Sequence, residues 1–78
     1  MKEAKTASEL LNLLTAALSR HAECADILVD RIVPIEGSSA TNWEPDFKPM
    51  PGKEISPSCK QVALAATNFL QQSFDLRD

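Results

Sequence analysis

The sequence predicts an α+β fold with the order helix, strand, strand, helix, in which two amphipathic helices pack on one face of a small antiparallel sheet. Apolar residues recur at a helical spacing near both ends of the chain. A run of β-branched residues lies between these two segments. Because 78 residues are fewer than a typical domain has, we expect residues 1–78 to form a single domain around one core.

The first helix is expected over residues 7–24. Thr6 and Glu9 have the S/T-x-x-E spacing in which a hydroxyl and a carboxylate each cap the other residue's backbone amide. Leucines then recur every four residues, at Leu10, Leu14 and Leu18. These leucines fall on one side of a helix, and that side also takes in His21 and Cys24 if the helix continues.

The middle of the chain is expected to form a β-hairpin. Residues 27–35 are rich in β-branched side chains, which predicts a strand. Residues 41–44 predict a short second strand, and the prolines that follow predict a Pro-rich loop over 45–55. In a regular first strand, Leu28 and Ile32 project from the same face, away from the helices.

The second helix is expected over residues 57–74. Ser56 is a favourable N-cap, and Pro57 suits the first helical position because no intrahelical bond needs its amide. Cys59 lies on the predicted apolar side of this helix, whereas Leu64 points away from it.

Composition argues against several classes of function. The 11 acidic and 8 basic residues give a net charge of −3, which disfavours nucleic acid as a partner. With 2 glycines, the chain has no Gly-rich phosphate loop. Neither a leader nor a membrane segment is predicted from the apolar runs, so we expect a cytoplasmic protein that does not bind membranes. Reduced thiols are then favoured over a Cys24–Cys59 disulfide.

Three residues could carry chemistry, and each also has a structural interpretation. His21 and Cys24 have the spacing of half a metal site, and Cys59 could add a third ligand, but no fourth is in evidence. Cys59 could also be a reactive thiol, stabilised by the first turn of the second helix. Because His21 and Cys59 both fall on core-facing sides, we expect packed core residues, no catalytic residue, no metal and no cofactor.

The number of apolar residues predicts an interaction surface. Leu28, Ile32 and Leu64 all point away from the core that one monomer can build, and Trp43 could add an aromatic anchor to an interface. The sequence therefore favours a non-catalytic module that associates with itself as a homodimer, or with another protein. Alternatively, the segment from Trp43 onward covers the sheet within one chain, with Trp43 anchoring it to the core.

Two other functions stay open as alternatives. One is a small nucleic-acid-binding module that uses Lys48, Lys53 and Lys60 beside Trp43. The other is a thiol-dependent activity at Cys59.

Three short segments also resemble a known group of proteins. They are the capped start Thr6-Ala-Ser-Glu9, the pair Asn42-Trp43 followed by an acid and a phenylalanine, and the helix start Ile55-Ser-Pro-Ser-Cys59. In these the chain resembles short bacterial proteins of unassigned function. The resemblance implies a bacterial, cytosolic origin and provides no catalytic residues to transfer.

Overall fold

The computed structural model describes residues 2–36 and 41–77. Its elements are β1 (Glu3–Lys5), α1 (Ala7–Ser19), a 3₁₀ turn (Ala22–Cys24), β2 (Ile27–Pro34), β3 (Trp43–Pro49), α2 (Pro57–Ser73) and β4 (Phe74–Leu76). The predicted α+β class is confirmed. The structure has two more strands than predicted, because β1 and β4 form a parallel pair in addition to the antiparallel β2–β3 ribbon. Residues 37–40 of the predicted turn lie outside the described residues.

Helix α1 begins as predicted and ends five residues early. The Thr6 hydroxyl accepts from the Glu9 amide at 3.2 Å, and the Glu9 carboxylate accepts from the Thr6 amide at 3.1 Å. The helix stops at Ser19, and His21 has an extended backbone, with φ −115° and ψ 118°, before the 3₁₀ turn. This break turns His21 outward into solvent, so its predicted place in the core is wrong.

A β-bulge changes which residues of β2 face the core. Val29 pairs with Phe47, but the next pair joins Arg31 to Asp46, so Asp30 is an extra residue in the ladder. The extra residue shifts the alternation of faces by one. Ile32 consequently lies inside the core, with 8% of its surface exposed, and its predicted place on the outer face is wrong.

Strand β3 continues through residues predicted to be a Pro-rich loop (45–55). The backbones of Asn42 and Met50, which flank β3, each hydrogen-bond toward the β2 side at 2.9 Å. The alternation of an antiparallel ladder then places the nitrogens of Pro45 and Pro49 on the opposite, outer edge. A proline at such a position removes no ladder hydrogen bond, which is why the strand tolerates both.

Trp43 and its neighbour Asn42 join the ribbon to the C-terminal strand. Trp43 is fully buried, and its indole Nε1 donates to the Phe74 carbonyl at 3.0 Å. The Asn42 side chain makes two hydrogen bonds with the Leu76 backbone, accepting from its amide at 2.8 Å and donating to its carbonyl at 2.9 Å. Trp43 is therefore a core anchor, which confirms one of the two interpretations of this residue, and the alternative that it lies in an interface is wrong.

Replacing Asn42 tests this junction. Asn42→Ala removes both hydrogen bonds to Leu76, and we expect the free energy of unfolding to fall by about 1–2 kcal/mol in urea titrations. Asn42→Asp keeps an acceptor for the Leu76 amide, so its loss should be smaller. An unchanged urea midpoint for Asn42→Ala would show that the side chain does not hold β4.

The capping carboxylate makes the stability of α1 depend on pH. The hydrogen bond from the Thr6 amide lowers the pKa of Glu9, and Lys5 and Arg77 act in the same direction. A lowered folded-state pKa means that the stabilisation is present above the unfolded pKa and is lost as pH falls through the folded value. We therefore expect Glu9→Gln to lower the Tm at pH 7 and to reduce the difference between the Tm values at pH 7 and pH 3.

Glu54→Gln is the matched control, because Glu54 is an exposed glutamate outside every helix and strand. The Tm of Glu54→Gln should change between pH 7 and pH 3 by the same amount as the Tm of the wild type. Identical profiles for Glu9→Gln and the wild type would argue against the cap as the source of the effect.

Candidate functional site

The two cysteines form a disulfide, which corrects the prediction of two reduced thiols. Cys24 in the 3₁₀ turn and Cys59 in the first turn of α2 are bonded, with 4.9 Å between their Cα atoms. Both are buried, at 5% and 1% exposure. Packing of the start of α2 on the 3₁₀ turn brings them together, and the Ser56 hydroxyl reaches the Glu23 carbonyl at the same place. Two cysteines 35 residues apart do not reveal this pairing in the sequence.

The residues considered for chemistry do not assemble into a site. The Cys59 sulfur is bonded and buried, so in this state it is not a nucleophile. The expected core position of Cys59 is confirmed, and the alternative of a reactive thiol is wrong. His21 lies at the surface, where its Nδ1 is 3.3 Å from the Glu23 carboxylate. Among residues 2–36 and 41–77, no group of three or more His, Cys, Asp or Glu side chains could hold a metal ion.

The basic residues proposed for nucleic acid are also separated from their aromatic partner. Trp43 is fully buried and offers no ring face for stacking on a base. The Lys48 Nζ lies 3.0 Å from the Asp30 Oδ1, and the Arg31 Nε lies 3.4 Å from the Asp46 Oδ2. The outer face of the β2–β3 ribbon therefore carries ion pairs. The apolar surplus predicted for this face is reduced to the partly exposed Leu28.

An open groove of about 380 Å³ runs between α2 and β3. Its apolar lining includes Ile27, Phe47 and Ile55, and Leu64 borders it. Thr67 also lines the groove, and its buried Oγ1 is the one buried side-chain polar atom without a hydrogen-bond partner in the described residues. One unpaired hydroxyl does not by itself define a binding site.

The strongest candidate surface is the side of α2 that faces away from the core. This outer face of α2 consists of six exposed residues: Gln61, Leu64, Ala65, Asn68, Phe69 and Gln72. Leu64 is 62% exposed and Phe69 is 68% exposed, the two largest values among the bulky apolar residues described. Phe69 is not among the interface residues predicted from the sequence, because helical spacing places it at the border of the apolar side of α2.

The outer face of α2 is also nearly free of charge. Lys60 is the single charged residue in α2, and Glu9 is the single one in α1. The exposed side of a surface helix is ordinarily rich in charged residues. Interface centres, in contrast, are depleted in charge and enriched in aromatic residues. The sequence already indicates the low charge, because Asp, Glu, Lys and Arg are nearly absent from both helices.

Comparisons with known proteins give no relative, because no family model, curated protein or solved structure matches this chain. Within the described part of the chain, no helix has the length and apolar character needed to cross a membrane.

The disulfide predicts a measurable stabilisation. A covalent link across 35 residues restricts the unfolded chain, and we expect its loss to lower the free energy of unfolding by about 4 kcal/mol. The comparison is between oxidised and reduced protein in urea. A double variant, Cys24→Ala with Cys59→Ala, is the control and should respond to urea identically with and without reductant.

The same protein can be assayed for thiols without reductant. We expect no alkylation of either cysteine in denaturant, and two alkylated cysteines after reduction. Two thiols that react in denaturant without reductant would contradict the disulfide.

Proposed function

We propose that the protein is a non-catalytic protein-interaction module and that the outer face of α2 is its binding surface. The proposal rests on the exposure of Leu64 and Phe69 on a helix with one charged residue, Lys60, which lies beside the outer face. Burying both side chains against a partner would remove apolar surface from water without separating an ion pair from its solvent.

The other surfaces offer less support for binding. The outer face of the ribbon carries cross-strand ion pairs, which are stable in water without a partner. The groove beside β3 is bordered by an edge with two prolines, and prolines reduce the capacity of an edge to accept another strand. A peptide that binds by adding a strand is therefore a weaker candidate than a partner that packs on α2.

The disulfide supports an oxidising compartment as the place where the protein acts. Structural disulfides persist in such compartments and are rare in the cytosol, where thiols are kept reduced. A buried Cys24–Cys59 link therefore favours an oxidising location over the cytoplasm that the sequence suggested.

Site-specific photo-crosslinking tests the proposed surface. We expect a benzophenone amino acid at position 69 to give protein adducts in the organism that encodes the chain, because Phe69 projects from the proposed surface. The matched control places the same probe at position 31, since Arg31 is comparably exposed on the outer face of the ribbon. Equal adducts from both positions, or none from position 69, would contradict the proposal.

A further inference from the structure

We propose that the partner of this surface is a second copy of the chain, with the two α2 helices packed antiparallel about a two-fold axis. This inference rests on the proposed function and names its partner. The axis would pass between residues 66 and 67, at the middle of the outer face of α2. With this axis, residues 60–73 of the two α2 helices would overlap, along about 21 Å.

The positions of the exposed residues fit such an axis. Ala65 and Asn68 lie nearest to it, and both are small enough for the helices to approach closely. Leu64 and Phe69 lie equally far from the axis and on opposite flanks of the outer face. In an antiparallel pair each flank meets the same flank of the other copy. Leu64 of one copy therefore packs near Leu64 of the other, and Phe69 packs near Phe69.

The charge on α2 favours the antiparallel direction. Lys60 is near one end of the helix, so the two copies of Lys60 would be separated by 13 helical positions, or about 20 Å along the axis. This distance exceeds the Debye length of about 8 Å at physiological ionic strength, so their repulsion is largely screened. A parallel pair would place the two ammonium groups at the same level.

A second copy also matches the chemistry of the surface better than a charged partner does. Gln61, Asn68 and Gln72 lie along the midline of the outer face and carry neutral amides, which both donate and accept hydrogen bonds and so can pair with other amides. A basic partner would find no counter-ion on α2, and a strongly acidic partner would find only Lys60, beside the outer face, so either would lose hydration with little compensation. Self-association therefore satisfies the amides and covers the two apolar residues in a single arrangement.

Charge substitutions at Ala65 test the two-fold arrangement. Ala65→Glu and Ala65→Lys each place two like charges beside the axis, and we expect the dimer Kd in sedimentation equilibrium to rise at least about tenfold for each variant alone. An equimolar mixture of the two variants should form a heterodimer, because opposite charges then face each other. Ala65 is exposed, and Glu and Lys are good helix formers, so circular dichroism and urea midpoints should show folded protein.

Ala16→Glu is the matched control, because Ala16 is an exposed alanine on α1. It should leave the dimer Kd unchanged. Equal weakening by Ala16→Glu, or two folded Ala65 variants that stay monomeric when mixed, would overturn the arrangement.

Other results separate this inference from the proposed function. A wild-type dimer that is insensitive to both Ala65 variants would refute the α2 pairing. A wild-type monomer whose position-69 probe crosslinks a different protein would also refute it, while the interaction module would stand. A monomer with no adducts at position 69 would refute both proposals.

Discussion

Attachments at both ends of α2 fix the orientation of this helix on the core. At its N-terminal end, the disulfide to Cys24 and the hydrogen bond that the Ser56 hydroxyl donates to the Glu23 carbonyl hold the first turn against the 3₁₀ turn. At its C-terminal end, Gln71 donates to the Trp43 carbonyl at 2.8 Å, and the Trp43 indole holds the following strand. A helix held at both ends cannot rotate to bury a different side. The exposure of Leu64 and Phe69 is therefore imposed by these attachments.

The bulge at Asp30 determines which other surface is left for binding. By moving Ile32 into the core, it completes an apolar layer under the helices and leaves the outer face of the ribbon with Asp30, Arg31 and their partners. Those side chains form cross-strand ion pairs, which suit a face in contact with water. We therefore place the proposed interaction surface on α2 and not on the ribbon. Three residues, Leu28, Ile32 and Leu64, suggested a surplus of exposed apolar residues. Of these, only Leu64 is largely exposed to solvent.

Local signals in the sequence predicted local structure well. The Thr6–Glu9 capping box and the Ser56 N-cap with Pro57 are confirmed, because these motifs need only neighbouring residues to form. The bulge was missed because strand alternation was extended through Asp30, although two adjacent charged residues in an apolar strand already suggested a change of face. The disulfide and the β1–β4 pair join distant parts of the chain, and no local pattern encodes such contacts.

The distribution of charge connects the fold to the proposed association. A chain of 78 residues buries only about 60–65% of the surface that its unfolded form exposes, so much apolar surface stays in contact with water. Here the ribbon, the linkers and the terminal strands carry nearly all of the charge, and the two helices carry one charged residue each. In a monomer, both these charged segments and the outer face of α2 are in contact with water. If the outer face of α2 is covered by a second copy of the chain, the charged outer face of the ribbon stays in contact with water in both copies.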